Sequence, residues 1–240
     1  MTIRIIKDAN TTDRNRAQQL RRDGKYEDAA RVFDAAIKRL ERELRGLRLG
    51  TTPDQPMICE VLELLSQTCG SLAGNWRDAG RSDRRYYAEA IKWYDKGNEY
   101  EEERRTKCGH LDSYNLLQRL VVRLLDNREA LASGEPSVDG KSMKSALEEV
   151  QREIERQIGA GRNDSWVQAD RALVRFLCGM EAEAVLGAFD PQSPSKSFYE
   201  STYKVVSDLL EEGLGRETDL VTRLESLKEI LVRKGGLARK

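Results

Sequence analysis

The chain has 240 residues, and its 34% charged and 39% hydrophobic content argues against disorder throughout, because the apolar residues are periodic. The 41 basic and 41 acidic side chains cancel at pH 7, so no global charge draws the chain to nucleic acid or to an anionic membrane. Only five prolines are present, and the composition therefore favours α-helix.

The first half of the chain is predicted to contain two helical pairs. Thr2–Lys7 is a short, strand-like apolar stretch, which we expect to be a frayed tail rather than a docked strand. From Asp13 to Leu49 the pattern is helix, turn, helix, with the turn at Arg22–Lys25. The second pair is predicted at 57–76 and 85–104.

The second half is also predicted to be helical. Asp112 has the position of an N-cap for a helix through Leu125, whose apolar stripe must pack against neighbouring helices. Residues 127–141 contain two turn motifs and form the predicted insertion. Further helices are predicted at 142–158, 165–179 and 181–188, and the C-terminal helices span 197–233 as 197–214 and 217–233.

Small and aromatic residues recur in both helical pairs. Ala29 and Phe33 have the spacing Ala-x-x-x-Phe, and Ala17 lies in the preceding helix. Ala90 and Tyr94 repeat that spacing in the second pair. Small side chains allow antiparallel helices to approach closely, while the aromatic ring fills the space towards the next pair. Further small residues of the second pair are Gly70, Ala73 and Gly97.

This pattern resembles the tetratricopeptide repeat (TPR), most clearly over residues 13–49 and 57–105. The resemblance implies a single all-α domain over residues 1–240, with antiparallel helical hairpins stacked as a right-handed superhelix with irregular repeats, whose concave side binds peptides or partner helices. Asp13 departs from the family pattern, which has tryptophan there. The helix after Asp112 is also similar to the helical TRAF-binding region of MAP kinase kinase kinases and of bacterial TPR proteins.

The four cysteines are widely spaced and form no paired motif. The N-terminal residues lack the pattern of a signal peptide, so we expect reduced, mostly buried thiols in a soluble, cytoplasmic protein. Unbroken apolar runs are far shorter than the roughly 20 residues that span a bilayer, so we expect no membrane segment. The cysteines are Cys59, Cys69, Cys108 and Cys178.

A catalytic site has little support in the sequence. His110 is the only histidine, so an unusual hydrolase would depend on it alone. Cys108 and His110 offer two metal ligands, fewer than the four of structural zinc. Gly159–Gly161 follows a predicted helix, whereas a phosphate-binding loop precedes one, so we interpret it as a C-cap. We expect no enzyme activity, no metal and no cofactor.

Basic and polar side chains share one face of the first helix at i, i+4, i+7 and i+8, and three more follow Asp112 at a spacing of four. Arginine recognises carboxylates through its planar, bidentate guanidinium, so these residues predict a groove for an acidic segment or a C-terminal carboxylate. Residues 1–50 carry 13 Lys and Arg against 8 Asp and Glu, which supports an acidic partner. The candidate partner-binding residues are Arg14, Gln18, Arg21, Arg22, Asn115, Arg119 and Arg123.

The function predicted from these residues is that of a non-catalytic adaptor or regulatory subunit, which engages a partner protein through a TPR-like groove. We expect exposed side chains for Arg14, Arg21 and Arg22, because burying them as core residues is costly. The alternative to a role in partner binding is that they are ordinary surface residues with acidic neighbours. Nucleic acid is not expected, since no aromatic residues alternate with the basic ones. The alternative function is a compact helical regulator that controls an effector enzyme by oligomerisation or small-ligand binding.

Overall fold

The structure is a computed structural model. It describes residues 3–50, 54–109, 112–127, 137–138, 141–161, 165–180, 196–213 and 219–237. Over these residues the protein is all-α, as predicted, with nine helices and two strands of two residues each. The chain folds as two compact units, Met1–Val122 and Arg123–Lys240. The single repeat domain expected from the sequence stays a prediction.

The first unit contains four long helices and most of a fifth. These are α1 (Ile3–Arg22), α2 (Tyr26–Leu49), α3 (Gln55–Gly80), α4 (Arg85–Cys108) and α5 (Tyr114–Asp126). The strand-like or frayed start expected over Thr2–Lys7 was wrong, because residues 3–7 already belong to α1. Ile6 is 4% exposed and packs with Ala17 in the core, so tertiary burial stabilises the first turns of this helix.

Local signals in the sequence define the helix ends. Gly24 has a φ of +72° in the turn between α1 and α2, a conformation that glycine adopts without strain. Asp54 caps α3 by accepting a hydrogen bond from the backbone N–H of Met57 at 3.1 Å, and Pro56 lies in the first turn. Gly109 ends α4 with a φ of +71°.

In the first unit, equivalent helices of the two helical pairs lie next to each other. Asn10 contacts Thr68 and Arg21 contacts Asp78, at separations of 58 and 57 residues, so α1 and α3 are parallel neighbours. Hydrogen bonds between α2 and α4 likewise join residues 55 to 59 positions apart. The four helices have 20 to 26 residues each. The distance along the chain between equivalent positions of the two pairs is therefore longer than the about 34 residues of a standard TPR.

The core of the first unit is apolar and lies between these helices. Phe33, Ala17 and Ala29 are fully buried in one cluster with the apolar face of α3. Ala90 and Tyr94 of α4 are also fully buried. Both copies of the Ala-x-x-x-aromatic pattern therefore face the interior, as their helical spacing predicts.

The cysteines differ from the expectation of reduced, mostly buried thiols. Cys59 in α3 and Cys108 at the end of α4 form a disulfide, with their Cα atoms 6.1 Å apart. Cys178 is an exposed thiol, and only Cys69 is a buried one. The paired cysteines are 49 residues apart in the chain, so only the antiparallel packing of α3 on α4 brings them together.

The second unit contains the end of α5 and four further helices. These are α6 (Met143–Gly159), α7 (Ser165–Leu177), α8 (Lys196–Gly213) and α9 (Asp219–Gly235). In the predicted insertion, Ser137–Val138 pairs antiparallel with Lys141–Ser142. The Ser142 hydroxyl caps α6 by accepting from the N–H of Ser145 at 3.2 Å. The helix predicted at 181–188 lies outside the described residues.

The helices of the second unit pack in sequence, α6 on α7, α7 on α8 and α8 on α9. The guanidinium of Arg223 in α9 lies 5.0 Å from the ring centroid of Phe176 in α7. Within the described ranges of both units, no helix has the length and apolar character needed to cross a bilayer. Fully buried side chains of this unit include Leu147, Ile154, Val174, Val206 and Leu231.

Candidate functional site

The basic face of α1 lies along α3. Arg14 donates hydrogen bonds from Nη1 to Oε1 of Gln67 at 3.1 Å and from Nη2 to Oγ of Ser71 at 3.3 Å. Arg21 donates from Nε to Oδ2 of Asp78 at 2.7 Å. These contacts form a polar interface between the two parallel helices. We call it the polar seam and define it by Asn10, Arg14 and Arg21 of α1 with Gln67, Thr68, Ser71 and Asp78 of α3.

The expected exposure of the arginines was wrong for two of the three. Arg14 and Arg21 are half-buried, like Gln18, whereas Arg22 is exposed. Arg14 and Arg21 recur at the spacing that faces α3, on the same side of α1 as the buried Ala17. Each guanidinium lies at the seam, where it donates hydrogen bonds to α3.

Arg21 has a carboxylate partner within the protein. Its side chain is 23% exposed, and that of its ion-pair partner Asp78 is 13% exposed. The guanidinium also lies over Gly74, where a Cβ atom would come within 3.2 Å of Nη1 of Arg21. Asp78 therefore balances the charge of Arg21, which acts as a link between α1 and α3.

Arg14 differs from Arg21 because its hydrogen-bond partners in the described chain, Gln67 and Ser71, are both neutral. No carboxylate of the described residues forms an ion pair with Arg14, and its Nε is buried without a hydrogen bond to them. Burial lowers the pKa of Arg14, since desolvation disfavours the charged form. The site thus holds a half-buried positive charge that described acidic residues do not balance.

Tyr114 completes this site from the start of α5. Its side chain is 43% exposed, and its electrostatic effect raises the pKa of Arg14 against the larger, opposing effect of burial. A Cβ atom on Gly70 would lie 3.2 Å from Cε1 of Tyr114, so the glycine allows the ring to approach α3. We call Arg14, Gln67, Ser71 and Tyr114 the Arg14 cluster.

Asn115 is a core residue, which contradicts its predicted place on an open face. It is 2% exposed, and its Nδ2 donates to Oγ of Ser66 at 2.8 Å. A Cβ atom on Gly97 would lie only 2.6 Å from that Nδ2, and one on Gly70 would lie 2.6 Å from Oδ1. Glycines on α3 and α4 therefore create the space that Asn115 fills.

Gly97→Ala is expected to lower the free energy of unfolding by about 1–3 kcal/mol, because the new methyl group displaces a buried amide. Gly46→Ala is the matched control, since a Cβ atom on that helical glycine meets nothing within 4 Å. It should instead stabilise the protein by up to about 1 kcal/mol. Urea denaturation followed by circular dichroism measures both; equal effects of the two substitutions would contradict the close packing at Gly97.

Glu101 is another buried polar residue, and like Asn115 it interacts with Ser66. It is 1% exposed, and its Oε2 accepts a hydrogen bond from the backbone N–H of Asp112 at 3.0 Å. Burial raises the pKa of Glu101 to about 7, against the opposing effects of the Ser66 hydrogen bond and the Arg104 charge. The charged run Glu101–Glu103 predicts a solvated helical face, which is wrong for Glu101, whose spacing of four from Gly97 places it on the buried face.

Two of the predicted partner-binding arginines have other surroundings. Arg119 forms an ion pair with Asp95 of α4, and its side chain is 30% exposed. Arg123 is half-buried and belongs to the second unit. The structure therefore brings Arg14 and Arg21 of the predicted set against α3, leaves Arg22 in solvent and does not place Arg119 in the Arg14 cluster.

His110 lies outside the described residues, so the expectation that it has no catalytic role stays a prediction. Among the side chains that the structure describes, no three or more His, Cys, Asp or Glu residues are grouped as metal ligands. The predicted C-cap at Gly159–Gly161 is confirmed: the N–H of Ala160 donates to the carbonyl of Arg156, and Gly161 has a φ of +88°.

Comparisons with known proteins supply no relative for this chain. No family model, no curated protein and no solved structure matches it. The polar seam and the Arg14 cluster are therefore the features from which a function can be inferred.

Proposed function

We propose that the protein is a non-catalytic adaptor or regulatory subunit, which binds an acidic segment of a partner protein through the Arg14 cluster. The observation that carries this proposal is the half-buried Arg14 guanidinium, which neutral Gln67 and Ser71 hold in place and no described carboxylate balances. A partly desolvated charge is costly without a counter-charge. A ligand whose carboxylate supplies the counter-charge to Arg14 is therefore bound more tightly.

The hydrogen bonds to Arg14 support its role as an anion receptor. Gln67 and Ser71 each accept from one terminal nitrogen, which fixes the plane of the guanidinium. Arginine has five N–H donors, so donors remain for a ligand. Because the side chain is already ordered, a ligand loses less entropy on binding than it would to a mobile arginine. The half-exposed ring of Tyr114 offers an adjacent apolar contact for the same segment.

The resemblance to TPR proteins supports a groove at this place. Each pair in such repeats contributes its first helix to the concave, ligand-binding side, and α1 and α3 are the first helices of their pairs. They are parallel neighbours, as stacked repeats require. In this proposal the partner is another protein that contributes an acidic segment or a C-terminal carboxylate, and the complex forms in the cytoplasm.

The alternative, a compact regulator acting by oligomerisation or small-ligand binding, has a candidate site between α2 and α4. A depression of about 340 Å³ there is lined by three basic and three acidic side chains, with Tyr100 and Leu44. Its ion pairs include Arg48 with Glu103 and Lys96 with Glu99. The charges of its lining are balanced, so this depression attracts a charged ligand less than the Arg14 cluster does.

Light scattering coupled to size-exclusion chromatography separates the two functions. The adaptor proposal expects a monomer whose mass does not change with concentration or with added nucleotides and metabolites. A compact dimer, or a ligand-dependent change of oligomeric state, favours the regulator.

Arg14→Met tests the proposal through binding and stability together. The probes are fluorescent acidic peptides with free C-terminal carboxylates, in which Glu and Asp occupy different spacings. We expect anisotropy titrations to show an affinity at least about tenfold lower for the variant, the loss of roughly 1.4 kcal/mol. The free energy of unfolding should stay equal or rise, because the variant removes a partly desolvated charge.

Arg16→Met is the matched control. Arg16 lies two residues further along α1, is exposed, and loses the same charge on substitution. Its peptide affinity should stay within about twofold of the parent, the size of a general electrostatic effect at physiological salt. Equal losses in the two variants, or no acidic peptide bound by the parent, would remove the Arg14 cluster as the binding site.

A further inference from the structure

The end of α4 has few buried anchors. Tyr100 and Glu101 are the last buried residues of this helix. Residues 102–108 are all half-buried or exposed, so the last two turns contribute little to the apolar core. Local segments with few buried contacts and exposed backbone hydrogen bonds open most readily in a folded protein.

The noncovalent contacts at this end are polar, and the least exposed group among them is Arg104, which pairs with Glu63 of α3 at 2.7 Å and has a side chain that is 13% exposed. Nε2 of Gln55, at the start of α3, donates to the carbonyl of Lys107 at 3.1 Å. Glu103 accepts ion pairs from Lys107, at 2.8 Å, and from Arg48 of α2. Partly exposed ion pairs are screened by salt and stabilise weakly. Beyond Arg104, the Cys59–Cys108 disulfide is the covalent link between the end of α4 and the start of α3.

We propose that the Cys59–Cys108 disulfide is a reducible clasp, which holds the last two turns of α4 against α3 when oxidised and releases them when reduced. Both cysteines are half-buried rather than enclosed, unlike fully buried Cys69, so a reductant can approach them. In a reducing compartment such a bond is transient, and it forms as a response to oxidation.

The release is an exchange with a dithiol. One thiolate of the dithiol attacks a sulfur of the Cys59–Cys108 bond, which breaks that bond and forms a mixed disulfide. The second thiolate then displaces the protein sulfur. Two electrons and two protons pass to Cys59 and Cys108, which become thiols, and the dithiol is oxidised to its own disulfide.

The clasp also connects to the Arg14 cluster, and this extension rests on the proposed function. Cys108 is followed by Gly109, which caps α4. Shortly after it, Asp112 donates its backbone N–H to Glu101, and Tyr114 begins α5. Opening the end of α4 should therefore loosen the hydrogen bond between Glu101 and Asp112 and, with it, the start of α5 that carries Tyr114. Reduction should weaken the binding of acidic peptides.

Hydrogen exchange of the full-length chain tests the clasp without reference to any ligand. After dithiothreitol treatment, we expect amides of residues 102–109 to exchange at least about tenfold faster, while residues 29–44 of α2 change by less than about twofold. Alkylation after denaturation should count two thiols in the oxidised protein and four in the reduced one. Four thiols under oxidising conditions, or unchanged exchange at 102–109, would overturn the proposal.

The double variant Cys59→Ser/Cys108→Ser is the control for the reductant. Its exchange at 102–109 should match that of the reduced parent and should not respond to dithiothreitol. The comparison of oxidised with reduced parent does not depend on whether this variant folds. Response of the variant's α4 to dithiothreitol would assign the effect to Cys69 or Cys178 and overturn the clasp.

A separate measurement tests whether reduction of the disulfide weakens peptide binding. Using the acidic peptide that the parent binds most tightly, we expect the dissociation constant to rise at least about threefold on reduction, with no such response in the double variant. Faster exchange at 102–109 with unchanged affinity would overturn the link to the Arg14 cluster and leave the clasp standing. Absence of peptide binding in both redox states would overturn the proposed function, while the exchange measurement still decides the clasp.

Discussion

Replacing Phe33 with alanine should lower the free energy of unfolding by about 3–5 kcal/mol. The ring is fully buried in the cluster that joins α2 to α3, with Ala29 one turn before it and Leu65 of α3 in the same cluster. Removing it takes away the free energy of burying the ring and leaves a cavity that rigid helices fill poorly. Urea denaturation monitored by circular dichroism measures the change.

Leu49→Ala is the control for this substitution. Leu49 is at the end of the same helix and is 81% exposed, so its loss should change the free energy of unfolding by no more than about 0.5 kcal/mol. A Phe33→Ala variant that unfolds at the same urea concentration as Leu49→Ala would show that Phe33 is not at the contact between the helical pairs.

The substitution Glu101→Gln should also have a large effect on the free energy of unfolding, and the size of this effect depends on pH. The pKa of Glu101 is about 7 in the folded protein, against an ordinary value of 4.5, because burial disfavours the carboxylate. Between those two values the folded state binds more protons than the unfolded state. The contribution of Glu101 to stability is therefore largest at low pH and is lost as the pH rises towards about 7.

The variant should remove this dependence, since glutamine stays neutral throughout. We expect the stability of Glu101→Gln relative to the parent to increase by about 2–3 kcal/mol between pH 5 and pH 8. Other carboxylates titrate alike in both proteins and cancel from the difference. Denaturation curves at pH 5, 6, 7 and 8 measure it.

Glu102→Gln is the matched control, because this adjacent carboxylate is 45% exposed and pairs with Arg105 on the surface. Its stability relative to the parent should vary by less than about 0.5 kcal/mol over the same pH range. The same flat curve for Glu101→Gln would show that the Glu101 carboxyl is not desolvated.

Helix positions were largely predictable, because strong local signals agree with the packing that the structure has. The turn at Gly24 and the apolar spacing of Ala29 and Phe33 each mark a helix without reference to the rest of the chain. The N-terminus was not predictable in this way. Its helix depends on Ile6 reaching a core that α2 and α3 provide.

The candidate site was only partly predictable, because its residues are defined by a neighbouring helix. Helical spacing placed Arg14 and Arg21 on one face of α1, but it could not show that α3 supplies a carboxylate to Arg21 and neutral partners to Arg14. Asn115 has the spacing of a surface residue, and its burial depends on glycines of two other helices. The Cys59–Cys108 pairing similarly requires the register of α3 on α4.

A double-mutant cycle between Arg14 and an acidic residue of the bound peptide measures directly whether Arg14 binds a ligand carboxylate. Affinities are measured for the parent, Arg14→Met and Arg16→Met with the tightest acidic peptide and with versions in which each Glu is changed to Gln, each Asp to Asn and the C-terminal carboxylate to an amide. We expect one carboxylate to be coupled to Arg14 by at least about 1 kcal/mol, and the same peptide change to show no coupling to Arg16. Additive effects for every carboxylate of the peptide would contradict it.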